Sequence, residues 1–81
     1  MTQEEIRRIA LDVLGGIAPE ADLGALAEDD ELREVLDLDS MDFLNFIAAL
    51  HQATGVDIPE ADYKRLYTLA GIADYLGGVD R

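Results

Sequence analysis

The sequence predicts an all-α fold, a small four-helix bundle of three main helices and one short one. Three observations lead there. Apolar residues recur at three- and four-residue steps in the long segments, the spacing that lines one face of a helix. No segment alternates apolar and polar residues as a half-buried strand would, and there is no internal repeat. Glycines fall where the apolar stripes end, and cap residues stand where they begin. At 81 residues the chain suits a single domain over residues 1–81 with a modest core.

The elements follow in order. "TQEE", Thr2 to Glu5, reads as a capping box: the Thr2 hydroxyl accepts from the Glu5 amide and the Glu5 side chain reaches back. Ile6, Ile9, Ala10, Val13 and Ile17 form one stripe, and Gly15-Gly16 marks a stop, giving a first helix from Gln3 to about Leu14. Ala18 to Glu34, with Pro19, Gly24 and "EDDE", reads as a long loop anchored by Leu23, Leu26, Leu32 and Leu36, with a short helical turn in "ELREVL". Loops of that length in small domains are tied down or functional.

A second main helix starts at Asp39 or Ser40 and runs to about Ala53. Phe43, Phe46, Ile47 and Leu50 carry its stripe, widened by Met41, Leu44 and Ala48. Gly55 ends it. Pro59 in "VDIPE" suits the first turn of a short helix, Ala61 to Leu66. Thr68 caps a last helix, Leu69 to Leu76, with Leu69, Ile72, Ala73 and Leu76 inward. Gly71 within it costs roughly 1 kcal/mol against alanine. Gly77-Gly78 closes that helix, and Val79 to Arg81 are expected to fray.

Eighteen acidic residues against six basic ones give a formal charge of −12. Such a chain is repelled by nucleic acid and by anionic membrane surfaces, and attracted to basic patches on proteins. Solubility alone is the competing explanation. With 49% hydrophobic residues at helical spacing, the acidity does not imply disorder. There is no cysteine, so disulfides, thiolate metal sites and cysteine nucleophiles are excluded, and a reducing cytosol fits. The N-terminus does not read as a signal peptide, and no apolar run is long enough to span a bilayer.

Ser40 is the only serine, set among Asp37, Asp39 and Asp42 in "VLDLDSMDFLNF". Three jobs suit it: helix cap, nucleophile or attachment point. Asp39 and Ser40 compete for the cap. A nucleophile needs a base within about 3 Å. The one histidine, His51, lies eleven residues on, about 16 Å along a shared helix axis. No glycine-rich elbow surrounds the serine. An EF-hand loop starting at Asp37 fails at Met41, Asp42 and Ala48, leaving at most a weak divalent site among Asp37, Asp39 and Asp42. Attachment remains: a first-turn hydroxyl is accessible, and the positive end of the helix favours a phosphate.

"LDLDSMDFLNFIAAL" resembles the acyl carrier protein signature, with Met41 standing for the usual leucine after Asp-Ser. "ELREVLDLDSM", "VDIPE" and "YTLAGIADYLGG" resemble the family's approach to the serine, its Ile-Pro-acidic segment and its closing helix, so the likeness covers nearly the whole chain. The resemblance implies an acyl-carrier-protein-like four-helix bundle that is not an enzyme. Its cofactor would be 4′-phosphopantetheine, placed on Ser40 by a phosphopantetheinyl transferase using coenzyme A and Mg²⁺, with Asp39 serving transferase recognition. Partners would be acyl-transferring or synthase enzymes with basic docking patches, met by Asp37, Met41, Asp42 and Asn45. The resemblance implies a cytoplasmic monomer serving fatty acid, polyketide or related lipid synthesis. Peptidyl or aminoacyl carriage is the alternative within the family, and an unmodified acidic helical adaptor the alternative outside it.

Two departures stand out. Asp37 occupies a position where many carriers have glycine. Asn45, His51 and Gln52 stand where fatty-acid carriers often have glutamates, which points to a narrower partner set. Phe43 and Phe46 read as core residues, with the lining of an acyl-chain cavity as a second role for at least one.

Overall fold

The computed structural model describes residues 2–78. The expected fraying of Val79 to Arg81 lies outside the described residues. Helix α1 spans Gln3–Ile17, α2 Leu32–Val35, α3 Ser40–Thr54 and α4 Leu69–Gly77, with 3-10 segments at Leu23–Ala25 and Glu60–Leu66. Helix α3 is the second main helix expected from the sequence, and the Glu60–Leu66 segment is the expected short one, wound as a 3-10 helix.

The capping box that opens α1 is complete in both directions. Its bonds are the first cause that holds the Glu5 carboxyl below its ordinary range. The far end corrects the expectation. The helix does not stop at Leu14 but runs through both glycines to Ile17, where the Ala18 amide still donates to the Leu14 carbonyl at 2.7 Å. Continuing the helix lets Ile17 pack against the core. Pro19 sets the real limit, because the residue before a proline is steered away from helical geometry.

The 18–34 stretch is tied down, as a long loop in a small domain must be. The Leu32 amide donates to the Tyr67 carbonyl at 2.8 Å and the Ala70 amide to the Glu28 carbonyl at 3.0 Å. Leu32 is fully buried, while Leu23, Leu26 and Leu36 pack at the edge of the core. Arg7 forms an ion pair with Glu28.

Helix α1 lies against α3 and α4, and α4 against the 60–66 segment. The interior is filled by Ile6, Leu14, Leu32, Phe46, Leu50, Leu66, Ile72 and Leu76. Burying each such side chain contributes about 1.5–3 kcal/mol. Thr68 caps α4 by accepting from the Gly71 amide at 3.0 Å. Gly71 is more than a tolerated weakness. A Cβ there would collide with the Arg65 carbonyl oxygen, so its absence is what lets α4 meet the 60–66 segment backbone to backbone.

The stripe of α3 also needs correction. Phe43, Phe46, Ile47 and Leu50 are buried as expected, but Met41, Leu44 and Ala48 face outward. The core is already closed by the four inner residues, so the wider apolar face has nothing of this chain to cover it. Among the described residues no helix is long and apolar enough to cross a membrane.

Candidate functional site

The site is built at the junction of α2 and α3. Glu31 caps α2, accepting from the Arg33 amide at 2.6 Å and the Glu34 amide at 3.1 Å. Burial pushes its carboxyl up, but the Arg33 guanidinium and these amides outweigh that and hold it below the ordinary range.

Helix α2 ends in a Schellman turn. The Leu38 amide donates to the Arg33 carbonyl at 2.9 Å and the Asp37 amide to the Glu34 carbonyl at 3.4 Å. Asp37 takes the left-handed position of that turn, with φ 54°. This is the position where the sequence showed aspartate in place of the family's glycine. The side chain differs, but the backbone adopts the conformation glycine favours, and aspartate is among the few residues that visit it. The turn drives Leu38 into the core and brings Asp39 to the start of α3.

Asp39 wins the competition for the cap, accepting from the Asp42 amide at 2.8 Å. Ser40 is therefore the first residue inside the helix, exposed, its hydroxyl not needed for the cap. The fifteen residues of α3 aim the positive end of their macrodipole at it. Phe43, one turn further, is locked edge-on to Tyr67 at 5.3 Å and to Tyr63 at 6.3 Å between ring centres. Arg33 lies over the Tyr67 ring at 3.8 Å while paired with Glu31. This support of Glu31, Arg33, Tyr67 and Phe43 stiffens the base under Ser40. Sequence reasoning missed Arg33 and Tyr67, because nothing in local spacing announces a contact over so many residues.

Of the expected site residues, Asp37, Asp39, Ser40, Met41, Asp42 and Asn45 share this end of α3, and all but Asp42 are exposed. His51 stays at the other end, where Nδ1–H donates to the Val56 carbonyl at 2.9 Å, with an Asp57 carboxylate oxygen 3.5 Å away. It thus ties the end of α3 to the next segment rather than serving as a free polar residue. Among the described residues, no three carboxylate or imidazole groups converge as a metal site. Asp37, Asp39 and Asp42 therefore do not form the weak divalent site considered from sequence.

Two open grooves flank α3. One, of about 490 Å³, includes Ile17, Val35, Asp37 and Asp42 in its lining. The other, of about 500 Å³, includes Leu44, Ile47, Ala48, His51, Ile58 and Tyr63. Phe43 and Phe46 line neither, and both are core residues.

Comparison with known proteins places the chain among similar sequences. The family described as phosphopantetheine attachment site matches residues 4–76. The acyl carrier protein of Campylobacter hominis is 26% identical over 78 residues, covering 96% of this chain and 92% of that protein. The acyl carrier protein of Rubrobacter xylanophilus is 29% identical over 73 residues, covering 90% and 84%.

Proposed function

The chain belongs to the phosphopantetheine attachment family, and from that premise we propose that it is a discrete acyl carrier protein whose arm is carried by Ser40. As a family member it is a carrier, not an enzyme, and its cofactor is covalently attached 4′-phosphopantetheine. The arm supplies a terminal thiol that holds acyl groups as thioesters. One observation supports Ser40 above all: it is exposed at the first position of α3 while Asp39 takes the cap bond. A phosphodiester there would face the positive helix end, and Asp37, Asp39 and Asp42 would turn it outward into solvent.

On this reading residues 1–81 form one monomeric carrier domain acting in the cytoplasm, loaded by a phosphopantetheinyl transferase whose recognition includes Asp39. The cargo is an acyl group, a reading supported by the names of the two relatives, and we take it to belong to fatty acid, polyketide or related lipid synthesis. Asp37, Met41, Asp42 and Asn45 form the partner-facing end of α3.

The test is direct. The protein is incubated with coenzyme A, Mg²⁺ and a broad-specificity transferase, and its intact mass is measured. Wild type should gain one phosphopantetheine and Ser40→Ala none. A gain that persists in Ser40→Ala would move the attachment point elsewhere.

A further inference from the structure

This inference rests on the reading of Ser40 as the attachment point and concerns what fixes that residue in place. Helix α2 is four residues long, far below the roughly 12 at which an isolated helix is even marginal in water. Its position is therefore set by what it touches outside itself. Leu32 is buried in the core, and two further ties run to Tyr67. The Tyr67 carbonyl accepts from the Leu32 amide at 2.8 Å, and the Arg33 guanidinium lies 3.8 Å from the centre of the Tyr67 ring. The same ring meets Phe43 of α3 edge-on at 5.3 Å. Tyr67 thus holds both the helix before the Asp37 turn and the first turn of the helix after it. The residues it holds are the ones that fasten the turn: the Arg33 carbonyl accepts from the Leu38 amide at 2.9 Å, and the Phe43 amide donates to the Asp39 carbonyl at 3.0 Å. Ser40 lies between these anchors, itself exposed, so its place follows from theirs.

We propose that Tyr67, with Arg33 stacked on it, is the positioning residue for the loading of Ser40. It acts through the turn between α2 and α3, setting the direction in which the Ser40 hydroxyl meets the phosphate delivered from coenzyme A. A misplacement of about 1 Å in a reacting group costs about 100-fold in rate, so a looser turn slows the transfer and leaves docking of the loading enzyme intact. The contacts use the face and the edge of the Tyr67 ring, both of which phenylalanine keeps.

The experiment measures KM and kcat for transfer from coenzyme A to the unmodified protein by the same transferase, read by intact mass. Each variant is assayed well below its Tm and shown to be folded by circular dichroism. Tyr67→Leu should lower kcat by about tenfold with KM changed less than about threefold. Tyr67→Phe should restore kcat to within about twofold of wild type. Arg33→Gln, at a side chain that is 41% exposed, keeps the proposal testable if Tyr67→Leu does not fold. It should lower kcat by about threefold or more. Tyr75→Phe is the control for lost stability alone: it gives up the bond to Asp62 and should leave kcat unchanged. Amide exchange adds a local readout, since the Leu38 amide should exchange faster in Tyr67→Leu than in Tyr75→Phe. A kcat for Tyr67→Leu within about twofold of that for Tyr75→Phe, a fall in Tyr67→Phe as large as in Tyr67→Leu, or a loss carried by KM alone would overturn the proposal. If wild type gains no mass at all, the carrier reading fails instead, and that result is distinct because a misplaced Ser40 is still loaded, only slowly.

Discussion

Asp37 holds a left-handed backbone at the end of α2, and its side chain decides what that costs. An L-residue there costs roughly 1–2 kcal/mol, and a β-branched one has no short polar group to offset it. Asp37→Val should therefore destabilise the protein by about 1–2 kcal/mol in urea unfolding. Asp37→Gly removes the strain but adds about 0.5–1 kcal/mol of chain entropy, so it should stay within about 1 kcal/mol of wild type. A valine variant as stable as wild type would refute the strained-turn account. A second residue-scale prediction concerns Tyr75, whose hydroxyl donates to Asp62 Oδ2 at 2.7 Å. That bond first, then burial and the Asp62 charge, holds the phenol above its ordinary value of 10.0. The folded state thus keeps this proton more tightly than the unfolded one. The contribution is whole below pH 10.0 and is lost as pH rises through the raised folded value. Tyr75→Phe should cost about 1 kcal/mol at neutral pH, and its gap from wild type should close in alkali. A gap that stays constant well above pH 10.0 would count against the bond as its source.

At the scale of elements, Gly71 sets two rules in opposition. Helix propensity says alanine improves α4 by about 1 kcal/mol. The close approach of the Arg65 carbonyl says a methyl group forces two backbones apart, at about 1–3 kcal/mol. The collision is with backbone, which cannot swing aside, so Gly71→Ala should lower Tm, by about 4–8 °C for each kcal/mol of net cost. A raised Tm would mean that the contact is soft. The same contrast explains what was legible in the sequence. The caps at Thr2, Asp39 and Thr68 were readable because their chemistry is complete within four residues. The end of α1 was not, since Gly15-Gly16 signals a stop locally while the packing of Ile17 against the core edge and the position of Pro19 decide it. Met41, Leu44 and Ala48 read as widening the apolar stripe on residue type alone, although Met41 also reads as partner-facing. Which apolar residues face inward depends on how many the neighbouring helices can cover, a quantity no single helix contains. For the site, the exposed serine and its capping neighbour were legible, whereas the Arg33–Tyr67–Phe43 support was not, being made by residues far apart in the chain.

The whole molecule carries a charge of −12 within extents of 33 × 24 × 19 Å. Net charge of that size opposes the folded state through self-repulsion. The ion pairs Arg7–Glu28 and Arg33–Glu31 act the other way, but exposed pairs contribute only about 0–1 kcal/mol each. Repulsion among so many uncompensated acids should win, so added NaCl should stabilise the fold at neutral pH. The range of the effect follows from the molecule's size. Near 0.01 M salt the Debye length of about 30 Å spans the whole molecule, and every acid acts on every other. Near 0.15 M it shrinks to about 8 Å, and charges on opposite faces no longer interact. Tm should therefore climb most steeply below about 0.15 M NaCl and level off above it. A Tm that is flat or falls over this range would mean that the ion pairs dominate. A rise that continues undiminished to molar salt would point to general salting-out of apolar surface instead of screening.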